Sequence, residues 1–274
     1  MEEQIREPGF SGKYYPADEI QAGREISLLL ESSPELNLSQ PPRAVIIPHD
    51  SLSRSGGVAA RAVRPLLEYR YRRLVIITPS HAEEFPFVSI FSGKAYQTSL
   101  GTVEVDAQLC TKLAEYDPEI ALTEKGHSSG EVGIEAALPF FQWAFGNFRV
   151  VPISMGLQSQ FQIEQLSKAI IHTVPPENTL LVASSNFGYR LPEAKVREQL
   201  QLAASLLETM DEETFWDHVV AHKIDLCGYG AVLTVLAVAQ KWGARHSRVL
   251  LNRTSADIDG NSGEATGYLS AIFY

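Results

Sequence analysis

The chain has 274 residues, enough for one large α/β domain with a full core, and no shift in composition divides it. Its 23 Lys and Arg against 33 Asp and Glu leave a formal net charge of −10, which repels phosphate backbones and anionic membrane surfaces and argues against nucleic acid as a partner. No apolar run approaches the ~20 residues of a membrane span, the acidic opening Met1-Glu2-Glu3 has no apolar stretch behind it, and Cys110 and Cys227 are too few for a disulfide framework; a reduced, cytoplasmic protein is expected.

Asp18 to Ser32 carries Ile20, Ile26, Leu29 and Leu30 at helical spacing behind Asp18 as a cap. The proline-bearing stretch 34–42 reads as a linker into a strand at Arg43 to Pro48, followed by a helix at Gly56 to Glu68 and a strand at Leu74 to Thr78. This order implies a right-handed parallel crossover. Phe87 to Phe91 and Lys94 to Gln97, separated by Ser92-Gly93, read as a hairpin beside the main sheet. Helices follow at Val105 to Tyr116 and Glu131 to Phe145, then a strand at Phe148 to Ile153, a helix at Phe161 to Thr173 and a strand at Leu180 to Ala183. Helices near Glu193 to Met210 and Asp211 to His222 precede Gly230 to Trp242, which is apolar on nearly every side and predicts a central buried helix. Arg248 to Leu251 and Ala265 to Phe273 resemble strands. The expected fold is α/β: a single domain over 1–274 with a mostly parallel central sheet flanked by helices.

Two of the apolar strands run out onto a histidine, Val45-Ile46-Ile47-Pro48-His49 and Val75-Ile76-Ile77-Thr78-Pro79-Ser80-His81. Ligands of open α/β sheets collect beyond the carboxyl ends of the strands. Leu180 to Asn186 ends in the polar run Ser184-Ser185-Asn186, and Cys227 sits just before the buried helix. Two imidazoles and a thiolate can hold a metal with a position left open. The plainer alternatives are strand-end histidines bonded to backbone and a cysteine that only packs. Asp50 is a candidate to orient the neighbouring imidazole or to cap the helix near Gly56. Cys110, beside Leu109 and Leu113, reads as packing. The serines and glycines at 51–57 lack a Gly-Lys-Ser/Thr pair, so no nucleotide is expected.

Arg6-Glu7-Pro8-Gly9-Phe10-Ser11-Gly12-Lys13-Tyr14-Tyr15-Pro16, Ile47-Pro48-His49, Pro79-Ser80-His81, Glu131 with Ile134-Glu135 and Leu138-Pro139-Phe140, Ser184-Ser185-Asn186-Phe187 and Cys227-Gly228-Tyr229-Gly230 stand in one order along the whole chain. This series resembles the Memo family, also called AmmeMemoRadiSam system protein B, whose fold is similar to that of class III extradiol dioxygenases. The resemblance implies His49, His81 and Cys227 as metal ligands, with iron the first metal implied and copper or zinc as alternatives, and points to radical SAM and AMMECR1-like proteins as partners.

The chain also departs from the family pattern. Asp50-Ser51-Leu52 replaces Ala-Gly-Tyr after the first histidine, Val132 stands where the family has a histidine after its glutamate, and Asn186 and Tyr189 replace an aspartate and a histidine. Val132 moves no proton, and Tyr189, with an ordinary pKa of about 10, is a poor base at neutral pH. His127, in the glycine- and serine-rich stretch 126–130, is the candidate to compensate, with Tyr189 as its partner in proton transfer. Asp50, Val132 and Asn186 are expected to line the pocket. The resemblance with these departures implies a Memo-like metal-binding protein without dioxygenase-type turnover; an active non-haem metal-dependent oxidoreductase and a protein or peptide recognition scaffold are the alternatives.

Overall fold

A computed structural model describes residues 4–274. Its elements in chain order are β1 (Ile5–Arg6), α1 (Glu19–Glu31), β2 (Ala44–Ile47), α2 (Gly57–Val63), β3 (Arg73–Pro79), β4 (Val88–Phe91), β5 (Ala95–Thr98), β6 (Gly101–Glu104), α3 (Ala107–Ala114), β7 (Ile120–Thr123), α4 (Gly133–Phe145) and β8 (Arg149–Met155). There follow α5 (Gln160–Thr173), β9 (Thr179–Ser184), β10 (Phe187–Leu191), α6 (Glu193–Thr209), α7 (Glu212–Val220), α8 (Tyr229–Lys241), β11 (Ser247–Thr254), α9 (Ala256–Asp259) and β12 (Ala265–Phe273). Among the described residues, nine strands form the main sheet in the order β10-β12-β2-β9-β3-β8-β4-β7, with β11 along β12.

The centre of this sheet is parallel: β2 pairs with β9, β9 with β3 and β3 with β8. Their near-continuous Val, Ile and Leu runs are buried throughout, as strands covered on both faces must be. Antiparallel neighbours flank the centre, β12 beside β2 and β4 beside β8. The helices α1, α2 and α4 pack on one another over one face, while α8 lies against β2, β3 and β9 together with α5 and α7. Asp18 caps α1 by accepting from Gln21 N at 2.8 Å, and Ala22, Ile26 and Leu30 turn inward at four-residue spacing. The crossover between β2 and β3 is parallel as expected, with β9 inserted between the two strands.

The expected hairpin at 87–97 is corrected. Val88–Phe91 belongs to the main sheet, whereas Ala95–Thr98 pairs with β1 and β6 in a separate small sheet. The Ser92-Gly93 pair redirects the chain instead of reversing it, because Lys94 N donates to Gln4 O at 2.7 Å and draws the second strand onto the N-terminal segment. Phe91 and Tyr96 stay in contact across the junction, edge to face at 5.0 Å, and both are buried.

The strand register places the site. Ile46 and Ile77 both belong to the parallel set whose shared neighbour is Ala183, so β2, β9 and β3 end along one edge. His49, Asn186 and His81 each follow their strand end by two residues.

Candidate metal centre

Along that edge one donor atom from each of His49, His81 and Cys227 falls within 4.8 Å of the others. The two imidazoles meet edge to face, centroids 4.9 Å apart, and Cys227 Sγ lies 3.4 Å from His49 Nε2. Cys227 reaches this point because the chain before α8 lies close against the strand ends. A Cβ on Gly228 would stand 3.0 Å from Ser184 O and 3.1 Å from Pro79 Cδ. The thiol sulfur accepts from Asn186 N at 3.2 Å, and Gln158 Nε2 holds the Cys227 carbonyl at 2.8 Å.

The two histidines are held by different chemistry, His49 through its ring and His81 through its backbone. His49 Nδ1 is 2.9 Å from Ser184 Oγ, and that hydroxyl donates its proton to Gly133 O at 2.8 Å. With its proton committed, the Ser184 oxygen can only accept, which assigns the His49 proton to Nδ1 and leaves Nε2 toward the sulfur. Gly133 allows this contact: any Cβ there would overlap Thr78 Oγ1. His81 sits on a loop gathered around the Glu131 carboxylate, which accepts from Ser80 Oγ at 2.5 Å, His81 N at 2.9 Å and Ala82 N at 2.9 Å.

Burial opposes a thiolate at Cys227, but the facing charges and hydrogen bonds of His49 and His81 outweigh it and hold the thiol well below its ordinary range. Burial likewise opposes a charged His81, yet Cys227 and Glu131 lift it to about 9. Glu131 is the converse: burial would raise it, and the hydrogen bonds from His81, Ser80 and Ala82 bring it down to about 2. The metal-free cluster therefore sets the Cys227 sulfur against the His81 imidazole, with His49 buried, Cys227 half-buried and His81 exposed to the cavity.

The trio opens into a cavity of about 790 Å³ lined by Phe10, Tyr14, Val132, Asn186, Tyr189 and Tyr229 among others. Phe10 and Tyr14 are delivered by a clamp around the buried Glu135 carboxylate, which ion-pairs with Arg6 and accepts from Gly9 N, Phe10 N and Tyr15 Oη at 2.8–2.9 Å. Tyr189 lies at the rim, 70 % exposed, on a strand bulged between Phe187 and Leu191, with Arg190 at φ 51.

Two assignments made from sequence change. Asp50 lines the cavity but does not orient His49: its carboxylate accepts from Tyr268 Oη at 2.5 Å and Ser51 N at 2.7 Å, and Ser184 takes the orienting part. His127 does not line the cavity. Its ring is 2 % exposed, with Nδ1 2.6 Å from Tyr96 Oη and Phe91 at 5.3 Å, and burial lowers its pKa to about 3. The loop at 126–130 points the ring into the core because Phe91 and Tyr96 offer it an apolar slot with one polar end.

Asn186 does more than line the wall. Its Oδ1 accepts from His49 N at 3.0 Å and its Nδ2 donates to His49 O at 3.2 Å, so one amide locks the backbone on both sides of the ligand histidine. A carboxylate could make only the first of these bonds. The two supports of the histidines, Ser184 and Glu131, lie in segments of the chain that resemble the family pattern, but their partners lie 135 and 50 residues away in sequence. Only the strand register brings them together.

Residues 6–272 match the family model described as Memo-like protein. A MEMO1 family protein of Sulfolobus acidocaldarius is 32% identical over 98% of this chain and 99% of its own, and one from Thermoplasma volcanium is 30% identical over 98% of each. The crystal structure of an uncharacterized protein from Escherichia coli K12 superposes with a TM-score of 0.54 at 14% identity, covering 86% of this chain and all of that one, a likeness of fold. With the match spanning nearly every residue and the His49, His81 and Cys227 cluster at its centre, the chain belongs to the Memo family.

Proposed function

We propose that this protein is a metal-binding member of its family whose centre is His49, His81 and Cys227 and which does not carry out dioxygenase-type turnover. The observation that carries the reading is the convergence of three donors within 4.8 Å, with the His49 ring oriented by Ser184, the His81 backbone held by Glu131 and the thiol drawn toward its anionic form. Bonds of about 2.0 Å to nitrogen and 2.3 Å to sulfur suit a cluster of this size. Two nitrogens and a soft sulfur fit iron, copper and zinc alike, with iron first by resemblance to the family. When bound, such an ion supplies Lewis-acid or redox chemistry at a coordination position facing the cavity.

The surrounding residues favour holding over proton transfer. Phe10, Tyr14 and Val132 present apolar surface to the cavity, and Asn186 is committed to the His49 backbone. Tyr14 is pushed upward by burial and by Asp50, so it is no base near neutrality. The remaining imidazole lining the cavity is His222, whose side chain is 87 % exposed at the rim beside Asp225. Ring opening requires a base and an acid at the reacting atoms; Val132 offers neither, Asn186 is committed to the His49 backbone, and the Asp50 carboxylate is occupied by Tyr268 and Ser51.

Elemental analysis of untagged protein purified without chelators or added metal, beside a His49→Ala/Cys227→Ala variant, tests the centre. Near-stoichiometric metal lost in the variant supports it; equal content in both removes it. Oxygen uptake by the iron-loaded protein with a catechol would overturn the second half of the proposal.

A further inference from the structure

We infer that Glu131 is the positioning residue of His81, setting the ring's place through the backbone of Ser80–Ala82 and its electron density through the carboxylate charge. This rests on the reading of His81 as a metal ligand.

The Glu131 side chain is 5 % exposed, and a buried carboxylate is tolerated only when its oxygens are filled. Here the donors all come from the loop that carries His81. Two consecutive backbone N–H groups, of His81 and Ala82, turn toward one anion and form a small nest, closed by the Ser80 hydroxyl. The loop after β3 thus takes its shape around the carboxylate. The same carboxylate lies beside the ring it positions: Oε2 is 3.7 Å from His81 Nδ1, an electrostatic contact longer than a hydrogen bond.

Glu131 is itself fixed. Its N–H donates to Ser128 O at 3.0 Å, and its carbonyl accepts from Arg6 Nη2 at 2.6 Å. Arg6 also reaches Ser128 O at 3.1 Å and pairs with Glu135 in α4. The carboxylate is therefore backed by the N-terminal strand, a turn and a helix, which lets it impose a position on a loop that has no regular structure of its own. His49 has no such charge, its far side facing the neutral Ser184 hydroxyl. The two imidazoles are consequently unequal: a carboxylate lies beside the His81 ring, and a neutral hydroxyl faces His49.

Glu131→Gln nearly preserves volume but removes the charge and places an amide donor against the nest N–H groups. Glu131→Asp keeps the charge and retracts it. Cobalt(II) is the probe, titrated into the full chain: the thiolate charge-transfer band reports Cys227 and the d–d bands report the coordination geometry. The inference expects about 10–100-fold weaker cobalt binding in Glu131→Gln, a shifted d–d spectrum with the charge-transfer band retained, and partial recovery in Glu131→Asp. Parent-like affinity and spectrum in Glu131→Gln would overturn it. The ring nitrogen resonances of the metal-free protein at one fixed pH form a second arm. Glu131→Gln, or Glu131→Asp where the glutamine variant fails to fold, should move those of His81 and leave those of His49, and unmoved His81 resonances overturn the inference. A parent that takes up no cobalt, iron, copper or zinc defeats the metal-centre reading, while the ring resonances still decide whether Glu131 positions His81.

Discussion

Ser184 Oγ stands between His49 Nδ1 and Gly133 O, accepting from the first at 2.9 Å and donating to the second at 2.8 Å. It thereby ties the last residue of β9 to a ligand from the end of β2 and to the first residue of α4. Its removal has two separable consequences. Ser184→Ala removes the second donor to the Gly133 carbonyl and leaves the His49 Nδ1–H without a partner in a buried place, at a cost of about 1–3 kcal/mol. It also frees the imidazole to take the other tautomer, so metal affinity should fall about 10–100-fold. Chemical denaturation of the metal-free protein measures the first effect and competitive metal titration the second. A variant that is destabilised but binds metal as the parent does would show that the hydroxyl orients nothing.

Asn186→Asp is the more specific probe of the His49 backbone. A carboxylate keeps the bond from His49 N but sets an anionic oxygen against His49 O in place of an amide donor. The folded protein should then favour the protonated acid, raising the new group's pKa above its unfolded value of about 3.9. A raised pKa means that stability is highest at low pH and declines as pH rises through the folded pKa. The variant should therefore match the parent near pH 4 and trail it by about 1–3 kcal/mol at pH 7. Parallel stability profiles across that range would show that the amide bond to His49 O carries no energy.

How much of this was legible beforehand follows from the range of the interactions. The continuous apolar strands and the four-residue spacing of Ala22, Ile26 and Leu30 are local patterns, and they placed most elements within a few residues. His49 and His81 could be singled out because each ends an apolar strand, and Cys227 because it precedes a helix buried on almost every side. The supports of these residues were not legible. Asp50 is adjacent to His49 in sequence and so was the natural candidate to orient it, yet the strand end turns Asp50 toward Tyr268 on β12, while Ser184 arrives from β9. The wall made by Phe10 and Tyr14 depends on Glu135 gathering four donors from residues 6–15, a long-range polar cluster with no periodic trace.

His127→Ala separates packing from proton transfer. The ring fills a buried slot beside Phe91, and its Nδ1 partners Tyr96 Oη, which has no other hydrogen bond among the described residues. Truncation should destabilise the fold by about 2–4 kcal/mol, combining a cavity with an unpaired hydroxyl. Metal content and cavity chemistry should stay unchanged, because the ring lies outside the cavity. Loss of metal from a folded His127→Ala protein would place the ring in the site after all.

The pH response of the metal-free protein follows from four shifted groups, Glu131, His81, His127 and Cys227. Glu131 falls from 4.5 to about 2 on folding, so its contribution is full above the unfolded value and is lost as pH drops through 2. His81 rises from 6.5 to about 9, so its contribution is full below 6.5 and is lost as pH climbs through 9. His127, lowered from 6.5 to about 3, adds a loss as pH falls below 6.5, and Cys227, held well below 9, adds a gain toward pH 9 that opposes the loss from His81; metal-free stability should therefore fall from about pH 6.5 toward acid and change less between 6.5 and 9. Metal binding strengthens on the alkaline side, since a ligand imidazole must give up its proton to the ion. The gain in melting temperature on adding metal should accordingly grow from pH 6 to pH 9, as the ion has fewer ligand protons to displace. Melting curves with and without zinc at several pH values measure this directly, and a metal-induced gain that shrinks as pH rises would mean that His81 is not among the groups the ion displaces a proton from.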